Sequence, residues 1–511
     1  MEPLKKIKIK NKLSLLILLL MLILLFSLHW YRISFSDVTL EQLIFHIKVP
    51  LDGANMGFFE KYFSYLKSDL IIIAFIVAFM SFYFSKFFKH NYNLTLNIKF
   101  LRVNKKIQWN VKNDCNILFR VINILFCITL IYVFFSLDVH GYVYNELNPS
   151  TIFEKEYVDA RNVKLDFPTK KQNLVYIFLE SMESSYSNLE ISEIEQNNLI
   201  PNLSKIAEEN VNFSNTNKIG GAQYSVSTSW TIAGMVAQTS GVPLKLSIDG
   251  NTLGEYSAFL PGVYSLGEIL EKEGYDNYLI MGSDKKFAGR SDYFEQHGKY
   301  DIFDYTSAID EKKINDGYWV NWGYEDLKLF EYAKEKLSVL ANKEKPFNFS
   351  LLTVDTHPTE GYCDNTCVNL NTNVYANSVM CSDKKVYDFV RWIQQQPFYD
   401  NTTIVISGDH LLMGNYLFPV NYTKNRTIYN AIINPNVEVK NTKNRIFTTM
   451  DMFPTTLASL GVKIDGERLG LGTNLFSNKK TLPEKMGLDK FNQEIAKKSN
   501  YYNNELLYEK K

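Results

Sequence analysis

Three stretches of the chain carry almost no polar residue. Leu13 to Leu28 reads LSLLILLLMLILLFSL, Leu70 to Phe84 reads LIIIAFIVAFMSFYF, and Ile117 to Leu137 is broken only by Arg120 near its start. With their flanks, each approaches the ~20 residues that cross a ~30 Å hydrocarbon layer. The pattern therefore predicts three transmembrane helices at about 13–29, 69–86 and 117–137. The first run follows a basic leader (Lys5, Lys6, Lys8, Lys10, Lys12), as a secretory signal would, but HWYRIS comes next instead of a small-residue cleavage site. A retained anchor is the expectation. Beyond residue 140 the pattern changes. Short apolar runs at Leu174–Leu179, Tyr278–Met281, Phe347–Val354, Thr402–Ile406 and Ala431–Ile433 alternate with helical periodicity over 203–209, 230–237, 263–273, 324–340, 384–395 and 450–460. Such alternation predicts an α/β domain with a mainly parallel sheet flanked by helices. The chain thus divides into a membrane anchor (1–140), a juxtamembrane linker (141–171), an α/β domain (172–475) and a C-terminal tail (476–511), the last read as solvated surface.

Charge adds an orientation. Over 511 residues, 55 Lys plus Arg balance 55 Asp plus Glu, a neutral average that gives no support to nucleic-acid binding. The basic residues are segregated, however. Besides the leader, Lys86, Lys89, Lys99, Arg102, Lys105, Lys106 and Lys112 crowd the second interval between apolar runs, whereas acidic residues dilute the first. The positive-inside rule then puts both basic segments in the cytoplasm and everything after about residue 140 outside. The expected arrangement is a multi-pass membrane protein whose domain after residue 140 lies on the outer face. Oxidation is permitted there; one disulfide using Cys381 is expected, with Cys363 and Cys367 both open as partners.

In parallel sheets ligands bind beyond the carboxyl ends of the strands, and here those ends are chemically alike. Glu180, Ser181, Met182 and Glu183 follow the first run, Asp355, Thr356 and His357 the third, and Gly408, Asp409 and His410 the fourth. A lone carboxylate in such a position is commonly a cap or turn former. Three together, with imidazoles, suit one divalent cation such as Mn²⁺, Mg²⁺ or Zn²⁺. Of seven histidines, only His297, His357 and His410 fall within this domain. The stretch Gly220–Gly234, GGAQYSVSTSWTIAG, adds hydroxyls just ahead of a predicted helix, where free N–H groups favour alkoxide and phosphate.

These segments resemble the membrane-anchored phosphoglycerol transferases of the alkaline phosphatase and sulfatase superfamily, which include lipoteichoic acid synthases and, more similar still, glucan phosphoglycerol transferases. The resemblance covers roughly residues 170–490, through YIFLESME, TSWTIAGMVAQTSGVPL, FAGR, LLTVDTHP, CSD, SGDHLLMGN, MDMFPTTLASLGV and RLGLGTNLFS. It implies that Glu180, Asp409 and His410 bind the metal, with Thr228 as nucleophile and fourth ligand and Thr231 as its rival. It also implies that Arg290 and His357 contact substrate, with Asp284 in place of a histidine found in the lipoteichoic acid enzymes. The activity implied is transfer of glycerophosphate from phosphatidylglycerol to a hydroxyl of an exported glycan through a phosphothreonine-type intermediate. His357 or Glu183 would handle a proton, Glu183 being equally a structural carboxylate. Alternatives are a phosphoethanolamine transferase or a sulfatase-like phosphodiesterase, although the C/S-x-P-x-R context of a sulfatase is missing from TSWTIAG.

Overall fold

The computed structural model describes residues 2–34, 40–48, most of 60–79, 92–100, 103–111 and, apart from 190, 192–193, 246–257, 420–421 and 423–424, all of 115–507. Contacts divide the chain into two units, Met1–Ser34 with Met56–His140, and Phe35–Asn55 with Gly141–Lys511.

In the first unit the basic leader and first apolar run form one helix, α1 (Glu2–Ser34). It packs along α3 (Cys115–Ser136). Among the described residues, these two helices are long and apolar enough to cross a membrane, over 13–34 and 119–136. The expected second span, 69–86, falls largely outside the described residues. The basic interval before α3 holds an antiparallel hairpin of β1 (Tyr92–Phe100) and β2 (Val103–Val111), in keeping with the period-2 apolar positions Tyr92, Leu94, Leu96, Ile98 and Phe100.

The second unit is built on a seven-stranded sheet. Its strands are β3 (Asn173–Leu179), β4 (Gly221–Ala222), β5 (Asp276–Met281), β6 (Asp301–Phe303), β7 (Phe347–Leu352), β8 (Thr402–Gly408) and β9 (Ile428–Ile433), in the order β4-β9-β8-β3-β7-β5-β6. The five strands from β8 to β6 run parallel, while β9 runs antiparallel to both of its neighbours, β8 and β4. The expected mainly parallel sheet is therefore present. Every residue of β3, β7 and β8 is buried, as suits mostly apolar, uncharged strands with both faces covered by helices. Two apolar cores result, one on each side of the sheet. The predicted helices appear at 201–209, 231–240, 266–272, 326–341, 374–394 and 452–459. The fifth starts ten residues before its periodic stretch, because Asn373 caps it by accepting from Ala376 N.

Three further features sharpen or correct the sequence reading. The segment after 476 is not a solvated surface. Thr481 and Glu484 form a capping box at Leu482–Met486, Arg445 pairs with Glu484 at 2.7 Å, and Leu482, Phe491, Ile495, Tyr502, Leu506 and Leu507 are buried in the core. The many lysines hid this: Lys479, Lys480, Lys485 and Lys490 are exposed, while the amphipathic helix Leu488–Ala496 turns Phe491 and Ile495 inward. Cys381 pairs with Cys367, leaving Cys363 free. Finally, a short helix from the first interval between apolar runs, α2 (Leu40–Lys48), belongs to the second unit. Phe491→Ala should lower the unfolding free energy of the full chain by about 3–5 kcal/mol, read from denaturant titration in detergent; a change within about 0.5 kcal/mol would mean that the tail contributes nothing to the core.

Candidate active site

Strand register assembles the centre. Leu179 of β3 lies opposite Gly408 of β8, so the residues that follow, Glu180 and Asp409, leave the sheet side by side. Backbone and side-chain bonds lock the turn: Asp409 N donates to Leu179 O at 3.0 Å, and Glu180 N to Thr353 Oγ1 beyond β7 at 3.0 Å. Ser181 holds a left-handed conformation, φ 51°. Its N–H donates to Asp409 Oδ1 at 2.8 Å and its hydroxyl to Glu180 Oε1 at 2.7 Å, which gives this unfavourable backbone state two compensating bonds.

Glu180, Asp409 and His410 are each wholly buried, with candidate ligand atoms within 4.8 Å of one another. His410 Nε2 lies 3.6 Å from Glu180 Oε1 and 3.5 Å from Asp409 Oδ2. His410 Nδ1 sits 2.7 Å from the Leu411 carbonyl. A carbonyl only accepts, so Nδ1 carries the proton and the Nε2 lone pair faces the carboxylates. Asp409 Oδ2 and His410 Nε2 have no hydrogen-bond partner despite full burial. Buried polar atoms without partners are rare, and two oxyanions plus an imidazole lone pair converging on one point are a donor set that suits a divalent cation. Burial, then the neighbouring Glu180, pushes the Asp409 carboxyl well above its usual range. Burial also acts on Glu180, but His410, His357 and the hydroxyls of Ser181 and Thr231 outweigh it and hold that carboxyl low.

The hydroxyl-rich loop runs into α4 (Thr231–Ser240). Gly234 is needed in this helix: a Cβ there would lie 2.2 Å from the Asp409 carbonyl, so only glycine lets the helix approach the strand end. Thr231 Oγ1 donates to Glu180 Oε2 at 3.1 Å. Thr228 is buried and donates to the Ser225 carbonyl at 2.9 Å. Ser225 Oγ, in the same loop, is buried without a hydrogen-bond partner. The sequence reading weighed Thr228 and Thr231; Ser225 was overlooked because a serine ahead of a helix carries no sign of its burial.

Arg290 and His357 share one aromatic floor. The His357 ring stacks at 3.8 Å on Trp322, and the Arg290 guanidinium lies 4.8 Å from the same indole. Trp322, within the aromatic stretch Tyr318–Tyr324, went unnoticed in the sequence. Arg290 donates to Ser283 Oγ, the Asp284 carbonyl and the Phe287 carbonyl. Burial lowers its guanidinium to about 10, and the carboxylates of Glu180, Asp284, Asp304 and Asp409 act against that fall. Burial likewise lowers the His357 imidazole to about 4, with Glu180 opposing, so the ring is neutral near pH 7. Asp284 is a turn former whose carboxylate accepts from Lys286 N.

Two other candidates have structural roles. Glu183 accepts from both Nε and Nη2 of Arg426 and from Leu412 N, which ties it to a buried ion pair. His297 is spent on Glu268 and the Phe259 carbonyl, at 2.9 and 2.7 Å.

The sulfatase family model matches residues 172–462. Phosphoglycerol transferase I of Escherichia coli O6:K15:H31 is 32% identical over 319 residues, 61% of this chain and 40% of that protein. The Salmonella choleraesuis protein of the same name is 32% identical over 320 residues, with the same shares. The match thus spans 40% of the length of these relatives. Among solved structures, a lipoteichoic acid synthase from Listeria monocytogenes is similar with TM-score 0.48 and 19% identity, over 62% of this chain and 79% of that one. A protein in the alkaline phosphatase superfamily from Vibrio parahaemolyticus gives 0.47 and 21%, over 63% and 74%.

At a Mn²⁺ concentration one hundred times the dissociation constant, the wild-type chain should gain about 2.7 kcal/mol of stability, seen as a rise in its thermal midpoint. His410→Ala should lose that rise; a variant stabilised as strongly as wild type would remove His410 from the ligand set.

Proposed function

The chain belongs to the sulfatase family, and on that basis we propose that it is a membrane-anchored transferase. It moves glycerophosphate from phosphatidylglycerol to a hydroxyl of an exported glycan, on the outer face of a bacterial cytoplasmic membrane. The observation that carries this reading is the junction of a buried carboxylate–imidazole donor set with a hydroxyl loop at a helix N-terminus. The phosphoglycerol transferase relatives supply the group transferred, and the family resemblance suggests the donor. Two helices apolar enough to cross a membrane support a donor taken from the bilayer.

Glu180, Asp409 and His410 would hold one divalent cation, Mn²⁺ or else Mg²⁺ or Zn²⁺, which when bound would polarise a phosphoryl oxygen and favour an ionised hydroxyl. Thr228 is assigned as nucleophile and as a fourth ligand. Its Oγ1 forms a bond to phosphorus, the bond from phosphorus to the diacylglycerol oxygen breaks, and the proton lost by the threonine leaves on diacylglycerol. An acceptor hydroxyl then attacks the same phosphorus, gives up its proton, and the threonine oxygen is released and reprotonated. Arg290 offers a permanent positive charge to the non-bridging oxygens, where charge stabilisation counts most. His357, neutral and stacked on Trp322, is assigned the proton transfers. Asp284 is assigned a substrate contact.

A second reading of the nucleophile rests on one observation. Thr228 already donates within the loop, whereas the Ser225 hydroxyl is buried without a partner. Transfer from phosphatidylglycerol labelled in its head-group glycerol separates the two. Thr228→Ala should lower the rate at least about 10³-fold if Thr228 attacks phosphorus. A near-normal rate in that variant, with the loss falling instead on Ser225→Ala, would transfer the role to Ser225. Release of ethanolamine phosphate from phosphatidylethanolamine, with no glycerophosphate transferred, would replace the donor assignment.

A further inference from the structure

The loop that carries the attacking hydroxyl is held from outside the catalytic domain's own sequence. Helix α2 lies more than 120 residues before that domain begins and directly follows α1, yet it seats one face on residues 227–230. Glu41 Oε2 accepts from the Ser227 hydroxyl at 2.6 Å, and Gln42 Oε1 accepts from the Ser229 hydroxyl at 3.3 Å. Phe45, one turn on, packs against Trp230 with ring centroids 5.1 Å apart. Gln42 and Phe45 are 2% and 1% exposed, so this is an interior contact and not a surface graze.

The residue gripped by Glu41 is the strained one. Ser227 adopts φ 60°, a left-handed state that an L residue keeps only when its surroundings hold it there. Its carbonyl accepts from Leu244 N at 2.9 Å and its hydroxyl is committed to Glu41. Thr228, Ser225 and Thr231 all lie within four residues of this point. Glu41 also faces Lys245 at 3.8 Å, and Lys245 Nζ donates to the carbonyls of Ile495, Ala496 and Lys497 at 2.6, 3.0 and 2.8 Å. On the other side, Gln42 Nε2 lies 3.1 Å from Met413 Sδ, three residues beyond His410. The helix therefore touches both the hydroxyl loop and the loop that leaves the carboxylate–imidazole cluster.

We propose that Glu41 and Gln42 are positioning residues for the transfer reaction: they fix the backbone of 227–229 so that the attacking hydroxyl stays aligned. The proposal rests on the glycerophosphate-transfer reading for its kinetic test, but not for its structural one. Because α2 is joined to α1, it also makes full turnover depend on a segment of the membrane anchor and not on the catalytic domain alone.

The test uses the full chain in detergent with labelled phosphatidylglycerol. Glu41→Ala should lower kcat about 10- to 100-fold with KM little changed, and Glu41→Gln, which keeps an acceptor oxygen, should recover much of the loss. Ser227→Ala should resemble Glu41→Ala, and the double variant should be no slower than the slower single one, since residues acting through one bond are not additive. The Mn²⁺-dependent rise in thermal midpoint should be the same as wild type. An unchanged kcat, fully additive losses, or a loss that tracks a lost Mn²⁺ response would overturn the proposal. If wild type transfers no glycerophosphate, the functional reading fails separately. Hydrogen exchange in a peptide covering 222–231 then decides: faster exchange in Glu41→Ala supports positioning, and unchanged exchange overturns it.

Discussion

Two wholly buried carboxylates, Glu180 and Asp409, emerge from neighbouring parallel strands and face each other across a few ångströms. Like unit charges about 4 Å apart repel by about 4 kcal/mol at an effective dielectric of ~20, and burial adds the cost of desolvation. Much of the surrounding structure answers that constraint. Two backbone N–H groups, from Ser181 and His410, converge on one Asp409 oxygen, while Ser181 and Thr231 hydroxyls donate to Glu180. The His410 lone pair and one Asp409 oxygen are left pointing inward with no proton donor, so the cluster is completed most simply by a cation. Gly234 allows the helix to close over the strand end, and the left-handed Ser181 aims its N–H inward.

The fold was legible because its signal is physical and local. A strand buried on both faces must be largely apolar: 174–179 is so throughout, while 347–354 and 402–406 interrupt their apolar residues only with the uncharged Asn348, Ser350, Thr353, Thr402 and Thr403. The edge strands Gly221–Ala222 and Asp301–Phe303 were not legible, since two or three residues carry no periodicity. The C-terminal segment was misread because composition averages its lysines with the buried Phe491, Ile495 and Leu506. Helix α2 was also missed: what makes it part of the site is a contact with Ser227 far along the chain, and no local pattern encodes that.

Glu180, Asp409 and His410, which share strand-end positions in the sequence, converge in the fold. Carboxylates with other duties could not be separated from them in sequence. Glu183 and Asp355 stand in equivalent strand-end positions, yet one is paired with Arg426 and the other with Lys385 at 2.7 Å. The difference lies in cations contributed by distant elements. The same holds for the hydroxyls of Ser225, Thr228 and Thr231, whose partners are set by a local geometry that a run of Ser and Thr does not reveal.

The central claim is that a hydroxyl between 225 and 231 carries the glycerophosphoryl group in transit. The most direct measurement is to quench the full-length protein during turnover of phosphatidylglycerol labelled in its head-group glycerol, digest it, and locate the label by mass spectrometry. The mechanism predicts a label on the peptide containing Thr228, at Thr228 or, under the second reading, at Ser225, and none in His410→Ala. Label on no residue of that loop, while glycan is still being modified, would contradict it.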